Sequence, residues 1–365
     1  MGATDPCSGR SDDVHPTRAT PVGHHGTVRI LAAPDKFRGT ASASEVAAAV
    51  AAAGRAHGAT VRELPLSDGG EGFLEVFGGP NRSTEVTGPL GTPVEAGWRL
   101  DGRTAVIEMA RASGLALVGG AEGNDAVAAS TAGTGELIAA AVEAGAQRIV
   151  VGHGGSATTD GGLAALRSLR PARLRGVELV AAVDVTTRFF DSASTFAPQK
   201  GATPNQVLLL ERRLSRLAQV YLEDHGIDVT QIPGAGAAGG LAGGLAVVGA
   251  EVVPAFEMIS DEVELDLAVD ETDLVVTGEG LLDDTSFDGK VVGGVVELAA
   301  DAGTPVLVVV GQILDGALER AIERSDLEPD RVEVVSLIER FGVQRTFDDT
   351  TGCITEAVAE HLARA

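Results

Sequence analysis

Beyond residue 26 the apolar positions of this chain alternate between two periods. Short apolar runs bounded by turn residues, VRILAAP from Val28 and VRELPL over 61–66, read as strands. Between them SASEVAAAVAAAGRAHG repeats its apolar positions at helical spacing, with Ser42 or Ser44 as N-cap. The turn Ser67-Asp68-Gly69-Gly70 and a short helix to Phe77 follow. The alternation resumes late in the chain, predicting helices over 258–269, 291–302, 317–324 and 354–363 and strands over 273–277, 305–310 and 332–337. Five strands so interleaved predict an α/β protein built on a flavodoxin-like, doubly wound parallel sheet.

The middle of the chain breaks this pattern between the second and third of those strands. It opens with hairpin-like pieces, TEVTGPLGTPVEAGWRL and RTAVIEM, and continues through a helix over 134–144, the strand RIVVG at 148–152, the strand ELVAAVDV and a long helix over 204–225. A second α/β domain with mixed pairing, inserted at 80–254 into a domain made of 27–79 and 255–365, accounts for it, and the cleft between the two is the expected site. Residues 1–26 mix Gly, Ser, Asp, Pro, Thr and His without any apolar period and read as a disordered extension.

Composition narrows the choice of partner. The 365 residues are enough for two domains with cores of their own, and 48 glycines against 3% aromatics suit tight strand-to-helix turns. The net charge is −24 and the basic residues form no stripe, so nucleic acid and anionic membranes are poor partners and an anionic ligand must be gathered locally. Two cysteines, Cys7 and Cys353, indicate neither a disulfide framework nor a zinc site, and His24-His25 in the extension is no metal motif by itself. With no apolar run fit to span a membrane and no signal-peptide core, a cytoplasmic monomer or homodimer is expected.

The chemistry gathers at strand ends. In VVTGEGLLDDTSFDGKVVGG, from Val275, an apolar strand runs into Thr277-Gly278-Glu279-Gly280, an acidic loop with Asp283, Asp284 and Asp288, and Gly289-Lys290 at a helix entry. Glycines admit a phosphate to backbone N–H groups, carboxylates hold Mg²⁺, and a lysine neutralises charge on transferring oxygens, so phosphoryl transfer is the first hypothesis. An Asp-rich turn before a surface helix is the plainer reading. APDKFRGT sets Asp35 beside Lys36 and Arg38, either as a turn former or as an anion contact. SDGGEGF offers Asp68 and Glu71 as Mg²⁺ ligands, or as turn and helix-dipole residues. VVGHGGSATTDGG, at 150–162, is a candidate phosphate nest without a Walker ending, PGAGAAGGLAGGL is a glycine-rich helix entry, and Asp184 ends an apolar strand where a carboxylate can deprotonate a substrate hydroxyl or merely cap.

In order along the chain, APDKFRGT, SDGGEG, VTGPLGTPV, VIEMARASGLALV, GTGELI, GGSATTDGG, FAPQKGAT, PGAGAAGGLAGGL, DLVVTGEG, DGKVVGGV and LIERFG resemble the bacterial type I glycerate kinase family from about Ile30 to the end. The resemblance implies ATP- and Mg²⁺-dependent phosphorylation of glycerate by two α/β domains, one inserted in the other. Matched position by position, it implies Asp184, Asp35 and Lys200, the last beside Gln199, as catalytic residues. Gly154, Gly155, Ser156, Thr158, Asp160, Glu279 and Lys290 fall to the nucleotide, Lys36, Arg38, Asp68 and Arg188 to the acid, and Asp68, Glu71 and Asp283 to the metal.

Three departures bear on substrate. Leu281 stands where the family usually has arginine, Thr187-Arg188-Phe189 replaces Asn-Pro-Leu, and the connection holding RSLRPARLRG is shorter than expected. A kinase for a related hydroxyacid or sugar acid, and a weakened member acting as a nucleotide- or metabolite-binding regulator, are therefore the competing expectations. Loss of the guanidinium at 281 is expected to weaken the hold on glycerate. Deleting residues 1–26 is expected to leave melting temperature and any kinase rate nearly unchanged, and a large fall in either would place the start of the folded unit earlier.

Overall fold

The computed structural model describes residues 27–283, 286–287, 290–314, 316–317 and 331–364. The N-terminal extension, Asp284, Asp288, Gly289 and all but the first residue of the helix expected at 317–324 lie outside them. The chain opens with β1 (Arg29–Ala32) and β2 (Thr60–Glu63), which pair in parallel. It then leaves to form β3 (Arg82–Thr87), β4 (Pro93–Asp101), β5 (Thr104–Glu108), β6 (Arg148–Gly152), β7 (Glu178–Val183) and β8 (Glu251–Pro254). These make a separate six-stranded sheet in chain order, antiparallel from β3 to β5 and parallel from β5 to β8. On its return it supplies β9 (Leu274–Leu282), β10 (Val306–Ile313) and β11 (Val332–Ser336), giving a parallel sheet ordered β2-β1-β9-β10-β11. This is the flavodoxin-like order, with the second α/β unit inserted between its second and third strands. RIVVG and ELVAAV are strands of the second sheet.

The alternation of side chains along each strand sorts them into three cores. On the first sheet Ile30, Ala32, Val276 and Leu307 face the helices Ala43–Ala56 and Thr350–Arg364. Leu31, Val275 and Val308 face the other way, into a core that also holds Val106, Val150 and Val180 of the second sheet. The helices Ala255–Glu262, Leu265–Asp270 and Val291–Ala302 fill the space between the two sheets with Phe256, Ile259, Leu265 and Val295. The outer face of the second sheet, through Ile149, Val151 and Leu179, packs on the helices Ala132–Glu143, Pro204–His225 and Ala237–Ala246. Ser42 caps its helix with a full capping box: its hydroxyl accepts from the Glu45 N–H while Glu45 accepts from the Ser42 N–H.

Three elements differ from the sequence pattern, each because of a non-local contact or a backbone break. β9 runs on through Glu279 and Leu281, where a loop was expected, because it stays in register with β10 as far as Leu282 opposite Ile313. The single helix expected over 258–269 is two, broken where Glu264 takes a left-handed φ of 53°. Before the terminal helix, which begins at Thr350 and not near 354, stand two short helices, Leu337–Phe341 and Val343–Asp348.

The loops after β2 and β6 meet backbone to backbone. Gly154 N–H donates to the Gly69 carbonyl (3.1 Å), and a Cβ placed on Gly154 would lie 2.1 Å from the Gly70 Cα. Main-chain atoms on both sides leave no rotamer to relieve such a methyl. Gly154→Ala is therefore expected to lower the unfolding free energy by about 2–3 kcal/mol in urea titration. Gly70→Ala, whose Cβ would stay 3.6 Å from the Gly154 Cα and 3.0 Å from Asp68 Oδ1, should cost clearly less.

Candidate active site

The strands of both sheets deliver their polar residues at carboxyl ends, where open α/β sheets bind ligands. Asp35 and Lys36 follow β1, Asp68 follows β2, Gly154 to Ser156 follow β6 and Asp184 follows β7. Two of the cavities that open there hold most of these residues. One, of about 380 Å³, is lined by Asp35, Glu279, Leu281, Asp283 and Lys290 of the first sheet's end, with Phe347 from a late helix. The other, of about 430 Å³, draws Glu71 from the first sheet's loops and Gly154, Gly155, Ser156, Asp184 and Lys200 from the inserted unit. Lys36, Arg38 and Asp68 line both.

A network of charges with little exposure occupies the partition between the cavities. Lys36 Nζ donates to Asp68 Oδ1 (2.9 Å) and to Asp35 Oδ1 (3.4 Å), and the three side chains retain only 10–15% of their exposure. Asp68 Oδ1 also accepts from the Gly70 N–H, and Asp35 Oδ1 from the Lys36 N–H. Burial alone would raise the pKa of Asp68, but the charge and hydrogen bond of Lys36 outweigh it and hold the carboxyl below the ordinary range. Its two neighbours go the other way. Desolvation, with the Asp68 charge second, lifts Asp35 to about 6, and the same two causes in the same order lift Asp184 to about 6. Glu279 is raised to about 7, again chiefly by burial, and its Oε1 has no hydrogen-bond partner among the described residues.

Lys200 is buried, and burial draws its pKa down to about 7. Its Nζ donates to Ser156 Oγ (2.8 Å) and to the Thr158 carbonyl (2.7 Å), so a lysine on a short turn after Phe196 braces the glycine-rich loop from behind. Thr158 and Asp160 line neither cavity. The Thr158 hydroxyl points toward the Ala238 carbonyl, and Asp160 accepts from the N–H and hydroxyl of Thr131 and from the Gly162 N–H, tying the loop to a neighbouring helix start. Arg188 is exposed and lines neither cavity either, while Phe189 beside it is fully buried against Gly161, Gly240 and Gly243, and a Cβ on Gly240 or Gly243 would lie 2.8 or 2.6 Å from its ring. The expected metal set also separates: Glu71 lines the second cavity and not the first, Asp283 the first and not the second, and Asp68 both. Among the described residues no three His, Cys, Asp or Glu side chains are grouped to hold a metal.

Sequence reasoning passed over several lining residues. His153 lines the second cavity, kept neutral because burial pulls its pKa to about 4, with Nδ1 against the Val151 carbonyl. Gln312, Ile338 and Phe347 line the first. A histidine inside a glycine run has no diagnostic spacing, and the other three belong to elements whose pattern announces only packing.

A sequence model described as the glycerate kinase family matches residues 30–172 and 168–328. The chain belongs to the glycerate kinase family. It is 37% identical to the glycerate 2-kinase of Escherichia coli (strain K12), with 79% of this chain and 86% of that one covered. It is 36% identical to the glycerate kinase of Bacillus subtilis (strain 168), with 78% and 85% covered. An uncharacterised protein of Mycobacterium bovis is 42% identical, over 82% of each chain. Among solved structures, one from Salmonella typhimurium LT2, provisionally assigned as glycerate kinase 2, superposes with a TM-score of 0.75 at 31% identity, covering 93% of this chain and 98% of that one. Among the described residues no helix is long and apolar enough to cross a membrane.

Within this family member the Lys36–Asp68 pair is the contact whose loss is easiest to read. Lys36→Met leaves two carboxylates without their cation and is expected to destabilise the fold by about 3 kcal/mol, measured by denaturant unfolding at pH 7.5. The double variant Lys36→Met/Asp68→Leu should recover a large part of that loss, since it removes the unpaired charge as well. Equal stability of the single and double variants would show that the pair is not coupled.

Proposed function

We propose that the chain is an ATP-dependent kinase that phosphorylates a hydroxyl of glycerate, with the acid in the second cavity and Asp184 as its base. The observation that carries this reading is that Asp184 from one sheet and the Lys36–Asp68 pair from the other line a single cavity, close enough for the Asp68 charge to raise the Asp184 pKa. A carboxylate that titrates near 6 is ionised at neutral pH and still basic enough to take a proton in the transition state. The hydroxyl oxygen attacks the γ-phosphorus, its proton passes to Asp184, and the bond to the ADP oxygen breaks.

The remaining residues have positioning and charge to supply. The backbone of Gly154, Gly155 and Ser156 forms the wall against which the transferring oxygens lie, and Lys200 keeps that loop in shape. Lys36, held by Asp35, offsets charge at the partition between donor and acceptor, with Arg38 at the edge of both cavities. Mg²⁺ carried in with a nucleotide takes most of its ligands from phosphate oxygens and water, so it needs only one or two carboxylates; Asp68 and Asp283 are the two of the expected set that line the first cavity. Mg²⁺ held there would neutralise charge that develops on the phosphate oxygens. Glutamate and aspartate side chains, not a protein-only cage, are what this site has to offer it. Of the departures that had suggested another acid, Leu281 lines the first cavity only and Arg188 neither, while Thr187 lines a further cavity of about 610 Å³ together with Asp184 and Lys290.

The test is release of ADP from Mg²⁺-ATP against a panel of hydroxyacids. Turnover with glycerate supports the reading, whereas turnover with another acid alone, or nucleotide binding without turnover, overturns it. Asp184→Asn should lower kcat by about a hundredfold to ten-thousandfold with the fold intact. In the parent enzyme kcat/KM should rise with pH through about 6, as the base loses its proton, and that limb should vanish in Asp184→Asn. Asp35 has the same raised pKa but contacts Lys36, so Asp35→Asn should keep the limb. An unchanged profile in Asp184→Asn assigns the proton to another group.

A further inference from the structure

We infer that the first cavity holds the base and sugar of the nucleotide, in a slot walled by Leu281 on one side and Phe347 on the other. The inference rests on the kinase reading above and extends it to the far part of the first cavity. Three observations lead to it.

The first is position. β9 pairs with β1 through Val276 and takes one further bond from the Asp35 N–H at the Gly278 carbonyl, but pairs with β10 as far as Leu282, so the last residues of β9 and β10, past Gly278, run on as a two-stranded ribbon. β1 and β9 are also the strands between which the order β2-β1-β9-β10-β11 reverses, the switch point at which doubly wound sheets bind nucleotides. The cavity lies along this ribbon. Alternation puts Glu279 and Leu281 on one face, and Gln312, the register partner of Leu281, beside them.

The second is the gradient of chemistry along the cavity. Lys36 and Arg38, shared with the second cavity, line it with Lys290 and the carboxylates Asp35, Asp68, Glu279 and Asp283, whereas Leu281, Ile338 and Phe347 line the first cavity and not the second. Cations set among carboxylates that could meet a divalent cation, beside an apolar wall, suit a ligand that is anionic with its metal in one part and flat and apolar in another. A nucleoside triphosphate has that form, with its γ-phosphoryl group at the partition where Asp184 and the acceptor wait. The acid itself has no apolar end to place there.

The third is exposure. Leu281 keeps 43% of its surface and Phe347 59%, on elements far apart in sequence yet lining the same cavity. Large apolar side chains left open together mark a surface that something covers. A purine between them recovers the contact, and stacking on an aromatic ring is typically worth enough to change affinity by about tenfold or more. Gln312, with an amide that both donates and accepts, is the side chain placed to read the edge of the base. On this account Leu281 acts on the nucleotide and not on glycerate, contrary to what its replacement of arginine had suggested.

The experiment is calorimetric titration of the full-length protein with ADP, with and without Mg²⁺, alongside steady-state kinetics. Phe347→Ala and Leu281→Ala should each weaken ADP binding by about tenfold, raise KM for ATP by a similar factor and leave KM for glycerate within about twofold. Both residues are largely exposed, so folding should survive; circular dichroism confirms it, and Phe347→Trp provides a second readout. Trp98, the chain's single tryptophan, is 3% exposed in the other sheet, so quenching of the new indole by ADP reports the slot directly. ADP binding equal to the parent in both alanine variants, no quenching in Phe347→Trp, or a raised KM for glycerate with that for ATP unchanged would overturn the slot. So would a change of oligomeric state in Phe347→Ala without a change in ADP affinity, since the face would then belong to a second copy. If the parent itself binds no adenine nucleotide and turns over no acid, the kinase reading fails first, and the two failures are distinguished.

Discussion

The geometry of the site depends on one contact without side chains. Gly69 and Gly70, after the second strand of one sheet, lie on Gly154, after the second parallel strand of the other, with the Gly154 N–H bonded to the Gly69 carbonyl. A methyl group at Gly154 has nowhere to go. Because the backbones touch there, Asp68 and the glycine-rich loop reach the same cavity, and two sheets that share a buried helix layer present their carboxyl ends to one another. The apolar core between the sheets joins them, and the glycine contact sets how closely their loops approach.

That approach has an electrostatic consequence. Three aspartates and a lysine are drawn together where water reaches poorly, and they do not share the strain equally. Asp68 takes Lys36 as partner and stays ionised, while Asp35 and Asp184 feel desolvation and the fixed negative charge of Asp68. A group of like residues is thereby divided into one permanent anion and two carboxyls that titrate near neutrality, the kind of division that acid–base chemistry at ordinary pH requires. Lys200 follows the same rule with opposite sign: buried against a hydroxyl and a carbonyl, it is pulled toward neutrality while bracing the loop that lines the cavity.

Reading the chain residue by residue succeeds where the signal is local. Helices such as Val291–Ala302 and Pro204–His225 and the strand Arg148–Gly152 have the bounds their periodicity predicts. The interruption between the second and third strands predicts the insertion because parallel strands broken by some 170 residues of mixed pattern leave few other topologies. The pattern misleads where a neighbour from elsewhere decides. The GEGLL run reads as a polar loop, yet β10 keeps it in a strand, and no window of sequence contains that partner.

The sequence by itself determined the order and type of the elements, the family, and the carboxylates and cations at strand ends, because helical and strand periods and turn chemistry are properties of adjacent residues. Only the tertiary structure decided which of those groups work together. Thr158 and Asp160, in the same loop as Gly154 and Ser156, turn away from the cavity to hold a helix start and a neighbouring turn. Phe189 is core and Arg188 is surface, although they are neighbours in the chain. Phe347 joins Leu281 across more than sixty residues to line one cavity. Such groupings, and the pKa shifts that come with them, depend on burial and on charges supplied by another sheet, and those quantities exist only once the chain has packed.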